Sequence, residues 1–173
     1  KIILINISKS SAEIDWLLPV LYQLKNRYKI ITLFQNNNAY ETLKRDETIF
    51  QLWKVISSDF SIDNIFDKFS RFISKKIFNK FNEINNLLKK NINFSKIKFL
   101  FSEFGTYSWL IDEVAKQKKR PITIHFPTSS YIFGIEKKNP IIKYSLKGDF
   151  LFLCNKLDIN HWEKRIDKRK IKI

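Results

Sequence analysis

The sequence predicts a three-layer α/β/α fold built on a parallel sheet, and three observations lead there. Short apolar runs of strand type recur along the chain. Segments with apolar residues at three-and-four spacing separate them, the period of a helix with one buried face. The two kinds alternate, as a parallel sheet covered by helices on both faces requires. A chain of 173 residues with 44% hydrophobic residues buries one substantial core, so residues 1–173 are expected to form one domain.

Lys1–Ile7 (KIILINI) reads as a strand buried on both faces. Ser8-Lys9-Ser10-Ser11 follows, and Ser10 with Glu13 forms a capping box for a helix whose apolar face is Ile14, Leu17, Leu18, Leu21 and Leu24. Pro19 inside it removes one backbone donor and should kink it. Tyr28–Phe34 is the second strand, Ala39–Arg45 a short helix and Gln51–Ile56 a third strand. Ser61–Asn91 keeps helical spacing throughout, with a Phe-rich stripe and lysines on the other side. That pattern suits a crossover helix packed on the sheet, or one lying on an anionic membrane.

The most informative stretch is Lys96–Gly134. Lys96–Ser102 is an apolar strand, and Glu103-Phe104-Gly105-Thr106 breaks it. Trp109, Leu110, Ile111, Val114 and Ala115 then recur at helical spacing, with Lys116, Lys118, Lys119 and Arg120 in the last turn, where cations favour the helix dipole. Pro121 ends the connection, and Ile122–His125 begins the next strand. This is a βαβ unit. Gly148–Cys154 reads as a further strand, Asn160–Arg165 as a short helix with His161 exposed, and Lys170–Ile173 as the start of another element.

In sheets of this kind ligands gather beyond the carboxyl ends of the strands, which here are Ser8–Ser11, Glu103–Thr106 and His125–Ser130. His125 can act there as a general base or hold a hydroxyl group; packed under its loop it would only bond to backbone. Glu103 can face a substrate or cap the following helix. Ser10 and Ser11 can offer amides to an anion or simply cap. The SKSS turn holds no glycine, which argues against a dinucleotide or P-loop site. No cluster of Cys and His has zinc spacing.

The net charge of +15 suits an anionic partner, yet lysine is abundant together with Asn, Ile and Phe, as in a chain of biased composition. Cys154 is the single cysteine, so no internal disulfide is expected, which fits a reducing cytoplasm. No apolar run is long enough for a membrane span, and no leader pattern precedes the first strand. The absence of Met, with Lys1 opening on a strand, leads us to expect an excised segment.

Over nearly all of its length the chain resembles the N-terminal half of enzymes with the glycosyltransferase-B architecture of two Rossmann-like domains. SKSSAEIDWLLPVL is similar to the first loop and helix of the UDP-N-acetylglucosamine 2-epimerase group. FSEFGTYSWLIDEVAKQKKRPITIHFPTSSY stands where that group has its second acidic loop and a strand ending in His. HFPTSS resembles the His-bearing loop of CDP-glycerol glycerophosphotransferases and capsule polysaccharide transferases. Pro127 stands where the epimerases carry an acid, and Phe126 where the glycerophosphotransferases carry Gly.

The resemblance implies an acceptor-binding Rossmann-like domain of a bacterial transferase making surface polysaccharide or a related glycoconjugate. It would be cytoplasmic, or peripheral on the inner face of the membrane. His125, Glu103 and Glu13 would be catalytic. Ser8, Ser10, Ser11, Gly105, Thr106, Thr128, Ser129 and Ser130 would bind substrate. The partner would be a glycan or lipid-linked acceptor. No metal is expected and no cofactor is bound by this segment; a nucleotide-activated sugar or polyol donor would be held by a missing C-terminal domain. Two alternatives are a sugar-nucleotide epimerase fragment and a basic nucleic-acid-binding module. The second is disfavoured because no recognition motif or aromatic stacking platform accompanies the basic residues.

Overall fold

The computed structural model describes residues 1–7, 12–34, 37–61, 94–104, 119–127, 146, 148–153 and 156–173. Within these residues seven strands form one sheet: β1 (Ile2–Ile7), β2 (Lys29–Phe34), β3 (Ser57–Ser61), β4 (Ile97–Glu103), β5 (Ile122–Phe126), β6 (Phe150–Phe152) and β7 (Ile171–Lys172). Their order is β3-β2-β1-β4-β5-β6-β7, and every pairing is parallel. The described helices are α1 (Ala12–Leu24), α2 (Asn37–Arg45), α3 (Glu47–Ile56) and α4 (Ile159–Glu163). The expected α/β Rossmann-like class is therefore present. Strands β2, β1, β4 and β5 are consecutive neighbours, as the βαβ reading required.

One face of the sheet is closed by α1, α2 and α3. Ile3, Ile5 and Ile7 of β1 join Ile30, Phe34, Phe101, Ile124 and Phe126 against Ile14, Leu17 and Leu21 of α1 and Trp53 of α3. Alternation along each strand puts the intervening residues on the other face. Leu4, Leu100 and Leu151 are fully buried there, and Leu151 packs with Leu146, Leu153, Trp162 and Ile166. Pro19 lies inside α1 on its exposed side.

The third strand departs from expectation. Residues 51–56 are helical, and the strand is the polar segment Ser57–Ser61. The Asp46 side chain caps α3 by accepting a hydrogen bond from the Ile49 amide at 3.1 Å. Trp53 and Ile56, three apart, then fall on the buried side, with Ile49 and Phe50 packed beside them. Thr32 and Ser57 share a hydroxyl hydrogen bond of 2.8 Å that ties β3 to β2. Ser61 closes β3 rather than opening a helix, and 62–91, the rest of the long amphipathic segment, lies outside the described residues. β6 is shorter than expected, beginning at Phe150 after a bend at Gly148 and Asp149.

His161 is buried, not exposed. α4 is so short and so close to β6 and β7 that two consecutive residues, His161 and Trp162, both sink into the packing, their ring centroids 5.0 Å apart.

Candidate functional site

The strand order fixes where a ligand crevice forms. From β1 the chain builds outward to β2 and β3; from β4 it builds the other way to β5, β6 and β7. The switch point is thus the gap between the carboxyl ends of β1 and β4, the usual ligand position in open α/β sheets.

Two of the expected catalytic residues flank that gap. Glu103 is the last residue of β4, 5% exposed, and pairs in register with Phe126. Phe126 belongs to the face covered by α1, so Glu103 lies on that side of the sheet. Glu13 stands in the first turn of α1, fully buried, immediately beyond the end of β1. The fold therefore brings two carboxylates to the α1 side of the switch point. Both are engaged in interactions within the protein, as buried carboxylates must be.

His125 goes elsewhere. Ile124 and Phe126 point to the α1 face, which leaves His125 on the opposite one. There Asn6, Ser102 and His125 stand in register on three adjacent central strands, with Leu151 next in the row. All three polar residues are buried, and the Asn6 side-chain amide donates to the Ser102 hydroxyl at 3.2 Å. Thr123, two residues earlier on the same face, is buried as well.

The His125 ring packs edge-on against Phe104, centroids 6.0 Å apart, and Phe104 in turn meets Trp162 of α4 at 4.9 Å. Its Nε2 edge rests on Gly148: a Cβ at that position would come within 2.7 Å of Nε2 and 3.2 Å of the Thr123 carbonyl. Nδ1 is buried and makes no hydrogen bond among the described residues. Burial pushes the imidazole pKa below its ordinary value. Backbone groups of Glu103 and Ser102 offset part of this, while Lys170 lowers it further and Asp149 raises it. The ring is packed on the face of the sheet opposite Glu13 and Glu103, and its burial favours the neutral imidazole.

Ser8, Ser10, Ser11, Gly105, Thr106, Thr128, Ser129 and Ser130 lie outside the described residues. No group of His, Cys, Asp or Glu suited to a metal ion occurs among the described residues. No described helix is long and apolar enough to cross a membrane. The polar row Asn6–Ser102–His125 was not singled out from the sequence. Its trace there is a polar residue near the end of each of three strands: Asn6, Ser102 and His125. Compared with family models, curated proteins and solved structures, the chain matches none.

Proposed function

We propose that this chain is the acceptor-side domain of a glycosyltransferase-type enzyme, with the β1/β4 switch point as its acceptor crevice. The supporting observation is the pair of buried carboxylates, Glu13 and Glu103, beside that point in an all-parallel sheet of this order. Carboxylates accept hydrogen bonds from vicinal sugar hydroxyls, and one that takes a hydroxyl proton turns that oxygen into a nucleophile. In this reading Glu103 takes the acceptor proton. The acceptor oxygen bonds to the activated carbon of the donor, and the carbon–phosphate oxygen bond breaks with its electron pair leaving on the phosphate. Glu13 orients the acceptor. His125 lies on the other face of the sheet and takes no step in this reading.

Saturation-transfer NMR of the chain with a neutral oligosaccharide, and separately with UDP-N-acetylglucosamine and CDP-glycerol, tests this reading. The saccharide should bind, and Glu103→Gln should weaken it about tenfold, equivalent to about 1.4 kcal/mol, with an unchanged circular dichroism melt. Saccharide binding that ignores Glu103→Gln, or tight binding of a nucleotide and no saccharide, overturns it.

A further inference from the structure

Among the described residues, the starts of the central strands are rich in unpaired basic residues. Because all strands run the same way, every strand start lies along one edge. Lys1, Lys29, Lys96 and Lys98 stand at the starts of the adjacent strands β1, β2 and β4; Arg27 precedes β2 and Lys119 precedes β5. All six are exposed. Ile2 is in register with Lys29 on one side and Ile97 on the other, and the Lys29 amide donates to the Lys1 carbonyl at 3.1 Å. Lys1, Lys29 and Lys96 therefore sit at nearly one level on neighbouring strands, which are about 5 Å apart.

None of these six forms an ion pair among the described residues. Other cations do: Arg120 with Asp149, Arg169 with Asp167, Lys168 with Glu163, and Lys44 with Glu41. Like charges left side by side on adjacent strands destabilise a sheet. Two acids share this edge at its far side, Asp149 before β6 and Asp167 before β7, and both are paired with arginines.

Apolar side chains are also exposed on the helices that end at this edge. α1 and α3 run back across the sheet and end at the cationic edge, where Tyr22 is 50%, Leu52 46% and Val55 65% exposed. Solvated aliphatic groups and unpaired lysines at one edge match the interface of a bilayer, where headgroups meet the cations and the acyl boundary takes the apolar groups. A nucleic acid would satisfy the lysines but offers nothing to Val55 and Leu52.

We propose that the amino-terminal edge of the sheet, with the ends of α1 and α3, docks on an anionic lipid surface. The test is cosedimentation of the full chain with phosphatidylcholine vesicles, with and without phosphatidylglycerol, at low and high salt. Binding should require the anionic lipid and fall steeply with salt. Replacing Lys29, Lys96 and Lys98 together by Gln should lower partitioning about a hundredfold, at about fivefold per lysine near the surface. Val55→Ser should lower it severalfold without changing the salt dependence. The circular dichroism melt of each variant checks its fold. Equal binding to neutral vesicles, or undiminished binding by the folded triple variant, overturns the proposal. So does vesicle indifference combined with salt-dependent, Val55→Ser-insensitive binding of a single-stranded oligonucleotide, which would give the edge to nucleic acid.

Discussion

The two faces of this sheet are built on different terms. On the α1 side, aliphatic and aromatic residues from five strands meet three helices, and the buried hydroxyl of Thr32 is satisfied by Ser57. On the other side a polar row crosses the three central strands at one level, ending at an imidazole whose Nδ1 has no hydrogen bond among the described residues. The first face draws its stability from area removed from water, which tolerates small errors of position. The second depends on a few groups meeting in one geometry, and it is where pH and a single methyl group should be felt.

The largest effect should come from opening the apolar face. Trp53→Ala removes a fully buried indole from the contact between α3 and the sheet and should cost about 3–5 kcal/mol, read by urea denaturation. A loss below about 1 kcal/mol would mean that α3 is not part of the cooperative core.

A smaller but more diagnostic effect should follow on the polar face. Gly148→Ala puts a methyl group against the His125 ring, and overpacking of that kind costs about 1–3 kcal/mol. In a His125→Ala background the same substitution should cost much less, because the ring it strikes is gone. That non-additivity identifies the contact; equal costs in both backgrounds would assign the penalty to backbone conformation instead.

The smallest change concerns acidification. His125 has a folded pKa below its unfolded value of 6.5, because burial penalises the imidazolium. The unfolded chain therefore binds the proton first. The stability tied to the neutral ring is fully present above about pH 6.5 and is lost as pH falls below it toward the folded pKa. Denaturation midpoints taken from pH 7.5 down to 5 should decline, and His125→Gln should flatten that decline. A slope that survives the substitution points to another group.

This contrast also explains how much the sequence revealed. β1, β2 and β4 were legible because apolar residues occupy both of their faces, and β5 (ITIHF) because Pro121 and the helical pattern before it mark where a strand begins. β3 was hidden because Ser57-Ser58-Asp59-Phe60-Ser61 carries no apolar run, while the aromatic and β-branched residues of 51–56 imitate a strand. The Asp46 cap and the Trp53–Ile56 spacing are the signals that identify the helix. Glu13 and Glu103 could be assigned to the carboxyl edge from strand direction alone. Which face His125 takes follows from alternation with Ile124 and Phe126, but what covers it does not. Its packing depends on Gly148 and Phe104, brought to it by strand pairing and not by nearness in sequence.

Among the described residues β3 is an outermost strand, which has a consequence for behaviour at high concentration. A strand that ends a sheet leaves one row of amide and carbonyl groups without a ladder partner, a template on which another chain can pair and polymerise. Here that rim is five residues long, with three serines, one aspartate and a single apolar residue, Phe60. An incoming strand would gain backbone hydrogen bonds but almost no apolar burial along its length. The segment that was hardest to recognise as a strand is, for the same reason, poorly suited to seeding aggregates.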